Sequence, residues 1–176
     1  NSLKELLVSN NNLTSLDISQ NTILEDLDCS HNALTALNVT GTNLLKMLIC
    51  NSNDLTDLDL IQNTEIERVN IRYNQISDIN VINADSLKEL FVSHNNIDSL
   101  DLSQNTVLED LDCSFNQLSS LDVNGADSLK KLNCNGNFLT SLDVSHNTRL
   151  ETLRCQENLL NTISLKNGNN HNISKI

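Results

Sequence analysis

Proline and tryptophan are absent from this 176-residue chain, and one tyrosine with three phenylalanines makes up its whole aromatic content. A core built on large rings is therefore excluded. Cations are scarce as well, with 11 Lys and Arg against 23 Asp and Glu and a formal charge of −12. With no cluster of basic residues, nucleic acid is excluded as a partner, because phosphate contacts need a basic surface. No apolar run approaches the ~18 residues of a membrane helix, which excludes insertion, and no signal-peptide pattern opens the chain at Asn1. The chain reads as a mature or a trimmed segment. What fills it instead is 32 Leu and 30 Asn, over a third of all residues and far from ordinary globular usage.

The reason is a repeat. From Leu3 the frame L-x-x-L-x-(C/V/I)-x-x-N-x-L-x-x-L-D-(V/L)-x5 returns every 21 residues, opening at Leu3, Leu24, Leu45, Ile66, Leu87, Leu108, Leu129 and Leu150. Six positions per coil, 48 in all, are apolar without exception. The ninth is Asn in each coil, from Asn11 and Asn32 through Asn137 and Asn158. Alternation at the fourth and sixth positions (Leu27 and Cys29, Leu111 and Cys113) predicts a short strand with these side chains inward. Stacked at ~4.8 Å, such strands make a parallel sheet over a core that no single coil closes alone. The second half of each coil alternates too, as in Leu142-Asp143-Val144, and predicts a second short strand or extended segment with no helix.

The frame resembles the leucine-rich repeat, in its short bacterial form, whose second half reads as in "NNLTSLDIS" at 11–19 and "NFLTSLDVS" at 137–145. The resemblance covers residues 3–165 and implies a β-rich solenoid: a right-handed arc with the parallel sheet on its concave face and short extended segments on the convex side. Residues 1–168 are expected to form eight repeats. The segment "LKNGNNHNISKI" at 165–176 breaks the pattern and looks like the opening of a C-terminal cap in secreted proteins of Bacteroidetes-type bacteria, so 169–176 is assigned to a truncated cap. Solenoid ends need covers, and the chain is expected to be an internal piece of something longer.

Two longer patterns overlie the short one. Residues 1–84 align with 85–168 without gaps at about half identity. The second position of successive coils reads Lys4, Glu25, Lys46, Glu67, Lys88, Glu109, Lys130, Glu151, which predicts a ladder of opposite charges that fixes register.

Residues that suggest chemistry mostly have structural roles. Cys29, Cys50, Cys113, Cys134 and Cys155 share the sixth position with Val8, Ile71 and Val92, so they are expected to be free, buried, apolar core thiols. Metal-ligand spacing is absent. The ninth-position Asn is expected to satisfy backbone groups where the chain leaves the strand. The fifteenth-position Asp or Asn (Asp17, Asn38, Asp59, Asn80, Asp101, Asp122, Asp143) is expected to bond its own turn. No Cys–His, Ser–His or carboxylate pair and no phosphate loop emerges, which predicts no catalytic residue, no metal and no cofactor.

The aromatic residues are the outliers, because none occupies an inward position. Phe91 takes the outward fifth position of its strand, Tyr73 and Phe115 the eighth, and Phe138 the tenth, all in coils four to seven. Arg68, Arg72 and His94 lie on the same coils, and Leu7, Met47 and Ile49 extend the apolar character toward the first coil. Exposed rings with arginines make interface hot spots. The candidate partner-binding set is therefore Arg68, Arg72, Tyr73, Phe91, His94, Phe115 and Phe138, rimmed by Glu89, Asp110 and Asp112. The resemblance implies non-catalytic recognition through the concave face, of a protein first and a glycan second, in an extracellular or cell-surface protein. A spacer holding other domains apart is the alternative.

Overall fold

The computed structural model describes residues 2–165. The segment assigned to a cap, 169–176, lies outside the described residues.

Each coil forms one three-residue strand, centred on its fourth-position residue as the alternation predicts. In chain order these are β1 (Glu5–Leu7), β2 (Asp26–Asp28), β3 (Met47–Ile49), β4 (Arg68–Asn70), β5 (Glu89–Phe91), β6 (Asp110–Asp112), β7 (Lys131–Asn133) and β9 (Thr152–Arg154). They pair in parallel, in coil order and in strict register, so that Leu27 lies beside Leu48 and Leu111 beside Leu132. Of the outer segments among the described residues, only β8 (Ser141–Asp143) and β10 (Thr162–Ser164) pair as strands, with one further bridge between Asp59 and Asn80. Among the described residues there is no helix.

The six apolar positions point inward together. From coil two to coil seven all of them are buried, as at Leu24, Leu27, Cys29, Leu34, Leu37 and Val39. In the first coil Leu6, Val8, Leu13 and Leu16 are only partly covered. A fully buried aliphatic side chain contributes ~1.5–3 kcal/mol, and coil one, covered on one side among the described residues, gains less.

Asparagine makes the turns out of the strands. Asn116 Nδ2 donates to the carbonyls of Cys113 (3.1 Å) and Ser114 (3.2 Å) in its own coil and of Val92 (3.0 Å) in the coil before, while its Oδ1 accepts from Ile97 N at 3.0 Å. Asn32, Asn53, Asn74, Asn95 and Asn137 repeat the pattern. The fifteenth-position side chain accepts from the backbone N–H two residues on in all seven coils where it was expected, at 2.8–3.1 Å, as in Asp143 with Ser145 and Asn80 with Ile82. A second asparagine column went unread in the sequence. Asn63, Asn105 and Asn147, at the nineteenth position of alternate coils, are fully buried and donate across the stack, Asn105 to Val81 O and Ala84 O at 3.0 Å.

The charge ladder forms as the sequence predicts. Glu25 lies between Lys4 (2.6 Å) and Lys46 (2.8 Å), Lys88 meets Glu67 at 2.6 Å, and Lys130 meets Glu109 at 2.8 Å. The five cysteines are free and buried. Burial and the Asp28 charge push the Cys29 thiol up to about 12, and burial drives Cys50 and Cys113 well above the ordinary thiol range.

Candidate functional site

The outward face of the sheet is built by the third and fifth positions of each coil, with the seventh and eighth forming its edge. Arg68 stands on β4 and pairs with Glu89 of β5 at 3.1 Å. Phe91 ends β5 on the outward face, as its position predicts, but the ring is not presented to solvent: it is 8% exposed. The guanidinium of Arg72 lies over it at 4.2 Å from the centroid, and that of Arg68 at 5.5 Å. The expectation of an open Phe91 ring is corrected on this point, because outward orientation leaves a ring bare only when no long neighbour folds across it.

Arg72 is itself held from beyond. Its Nη2 and Nε reach Asp112 Oδ2 on β6 at 2.8 and 3.2 Å, and Nε also faces Ser93 Oγ at 3.2 Å. Asp112 Oδ1 accepts from Ser114 Oγ at 2.6 Å. A guanidinium over a ring, locked by a carboxylate, is a rigid and largely desolvated arrangement.

Beside it lies a groove of about 450 Å³, lined by Arg72, Phe91, Asp110, Asp112, Lys131, Asn133, Thr152 and Arg154. Lys131 is paired with Asp110 at 3.1 Å. Arg154 makes no ion pair among the described residues. Lys131, Thr152 and Arg154 were missed in the sequence, although they occupy the same outward third and fifth positions in coils seven and eight.

Tyr73, His94 and Phe115 share the eighth position of coils four, five and six, where the chain turns with a positive φ of 55°, 56° and 52°. The shared geometry stacks them: Tyr73 on His94 at 4.3 Å and 12°, His94 on Phe115 at 4.5 Å and 17°. Offset ring pairs of this kind contribute ~0.5–1.5 kcal/mol beyond their buried area. Tyr73 and Phe115 remain exposed. Phe138 does not join the column. It stands exposed at the tenth position, where the next coil carries exposed Leu159. The candidate set thus separates into a roofed Phe91 with Arg68 and Arg72, a three-ring column, and Phe138 apart.

A second groove of about 430 Å³ opens on the convex side along Asp78, Asn80, Asp101 and Asp122. Three of these polar groups already hold their own turns. Among the described residues no group of three or more His, Cys, Asp and Glu is placed to hold a metal ion.

Eight parallel coils, a one-strand repeat, inward leucines and an asparagine column define a leucine-rich-repeat solenoid, and this chain is one. Comparison with solved structures agrees. The functional domain of InlJ from Listeria monocytogenes, described as including a cysteine ladder, is 31% identical over 92% of this chain, with a TM-score of 0.75. A leucine-rich-repeat protein of Leptospira interrogans matches over 99% of the chain at 19% identity and a TM-score of 0.84, and YopM, an effector of Yersinia pestis, over 92% at 21% and 0.54. The chain spans 43%, 54% and 43% of these proteins respectively. No protein-family model matches the chain, and no curated protein matches it in sequence.

Proposed function

We propose that the chain is a recognition module that binds a protein partner through its concave face, in an extracellular or cell-surface protein. The observation that carries this reading is Arg154, a guanidinium with no ion pair among the described residues, set in a groove walled by the Arg72–Phe91 roof. An arginine held open beside an ordered aromatic and charged wall is the kind of group that contributes most of an interface's energy. Glu89, Asp110 and Asp112, each paired within the sheet, supply a polar rim along the same face. The net charge of −12 favours a partner with basic groups around an acidic or polar anchor. The cell-surface placement rests on the resemblance to bacterial repeat proteins of that kind.

The test is binding of the purified chain to protein and glycan arrays, repeated with Arg154→Glu and Arg72→Ala. A protein ligand whose affinity falls at least about tenfold in either variant supports the reading. Binding to glycans alone, or binding that neither variant alters, overturns it. Failure to bind anything leaves the spacer reading in its place.

A further inference from the structure

The ring column stops abruptly at one end. Toward the C-terminus, Phe115 lies against Gly136, the eighth-position residue of coil seven, whose missing side chain leaves room for the ring. Toward the N-terminus the next residue in the column is Ser52, in coil three, and beyond it His31, in coil two. All share the same left-handed turn, with φ of 57° at Ser52 and 53° at His31. The occupied part holds one planar group per coil at 4.3 and 4.5 Å, close to the ~4.8 Å spacing of strands. Coil three has no planar group in this column. The N-terminal neighbour of Tyr73, an exposed residue, is this serine, and the next ring is His31, also exposed; the Asn51 amide lies 3.4 Å from His31 Nε2 and donates to Ser52 Oγ at 3.3 Å. The column therefore lacks one planar group, at Ser52, between Tyr73 and His31.

We propose that this gap seats an arginine side chain of a protein partner, with its guanidinium stacked on the face of Tyr73 opposite His94. The inference rests on the reading that the chain binds protein. Three observations favour a guanidinium over other planar groups. The chain carries −12 in formal charge, so a cation is drawn to its surface and an uncharged ring is not. Asp54, two residues beyond Ser52 in sequence, is exposed, takes a 3.4 Å contact from the Gln75 amide, and adds to the negative charge of coil three. The chain already stacks arginine on an aromatic face at Phe91. Its own Arg72, adjacent to Tyr73 in sequence, cannot fill the gap because Asp112 holds it on the other side.

The experiment is a two-dimensional NMR titration of the intact chain at fixed ionic strength with three blocked amino-acid amides, of arginine, lysine and tryptophan. The expected result is saturable shifts of the Ser52 amide and the Tyr73 ring with the arginine probe, about threefold tighter than with lysine. These shifts are lost in Ser52→Phe, which fills the gap, and in Tyr73→Ala, which removes the stacking ring. Phe115 and Tyr73 hold the same backbone angle, so Ser52→Phe is compatible with the turn; Tyr73→Ala decides the matter if that variant does not fold. Equal shifts with lysine, occupation by tryptophan but not arginine, or shifts that persist in Tyr73→Ala overturn the proposal. Protein binding lost in Arg154→Glu, with no arginine-probe shift at Ser52, overturns the gap alone. A probe shift with no protein ligand on the array overturns the protein-binding reading and leaves the chemistry of the gap standing.

Discussion

Arg72 and Asp112 meet at 2.8 Å across two coils, and the bond passes over Phe91 in the coil between them. One ion pair thereby ties β4's coil to β6 and covers the only aromatic residue on the sheet. Its two ends are only 30% and 15% exposed, so solvent screens it less than the outer ladder.

This arrangement makes Phe91 a stability residue as well as a wall of the groove. Phe91→Ala is expected to cost ~2–3 kcal/mol, below the 3–5 of a ring in a full core because one face is covered only by arginine. Arg72→Ala is expected to cost ~1–2 kcal/mol. The two should couple by ~0.5–2 kcal/mol in a double-mutant cycle read by urea unfolding. Strictly additive losses would show that the guanidinium and the ring stabilise independently.

The asparagine column gives a graded prediction. Asn116 is nearly buried and satisfies backbone groups in two coils, so Asn116→Ala should cost ~2–4 kcal/mol through the polar groups it orphans. Asn11, in the first coil, is exposed and bonds only Val8 O and Ser9 O, both at 3.1 Å. Asn11→Ala should cost ~1 kcal/mol or less, since water replaces what is lost. Equal unfolding midpoints for the two variants would rule out this account of the column.

The division between what the sequence disclosed and what it concealed has a physical cause. Strand centres, the asparagine turns, the aspartate turns and the lysine–glutamate ladder all follow from residue type at a fixed repeat position, and each was legible. The ring column depends on the left-handed turn at the eighth position. No single residue type marks it, since Asn10, His31, Ser52, Tyr73, His94, Phe115 and Glu157 all adopt it. The covering of Phe91 depends on where two long side chains fold, which spacing does not state. Arg154 shares the outward fifth position with paired and polar residues, and residue type alone does not distinguish it. Its significance comes from having no ion partner among the described residues.

The thiols should be chemically silent in the folded chain. Cys29, Cys50, Cys113 and Cys134 are fully buried, and burial pushes Cys134, like Cys29, up to about 12. A thiol reagent at pH 8 is expected to react with none of these four until the chain unfolds, and then with all five cysteines. Cys155, 8% exposed in the last described coil, should react first. Three or fewer reactive thiols after denaturation without reductant would mean that disulfides exist.

Acid should loosen the ladder within a defined window. The Lys4 and Lys46 ammonium groups hold the Glu25 carboxyl down to about 2 from an ordinary 4.5. A depressed carboxyl contributes stability that is present in full above its unfolded value and lost as pH falls through its folded value. Lys88 lowers Glu67 and Lys130 lowers Glu109 in the same sense. Unfolding midpoints should therefore fall between pH ~4.5 and ~2. Glu25→Gln should be less stable than the parent at pH 6 and close to it at pH 2, where the folded carboxyl is about half protonated. A difference that persists unchanged at pH 2 would show that packing, not charge, is what Glu25 provides.

Gly136 offers a separate test of the ring column. It occupies the eighth position at φ 64°, but the backbone angle is not what demands glycine there, because seven other coils place a side chain at nearly the same angle. The constraint is spatial. A Cβ on Gly136 would stand 2.6 Å from Cδ1 of Phe115 and 2.8 Å from Cε1, so the ring must swing away. Phe115 is exposed and free to move, which keeps the cost of Gly136→Ala to ~1 kcal/mol. The larger effect should be optical. Tyr73 is the only tyrosine and tryptophan is absent, so near-ultraviolet circular dichroism reports the column through one chromophore with little background. Displacing Phe115 releases His94, and His94 is the ring on which Tyr73 is ordered. The tyrosine band should therefore weaken in Gly136→Ala, two coils beyond His94, while the far-ultraviolet β signal is retained. An unchanged tyrosine band would mean that the three rings are neighbours without being coupled.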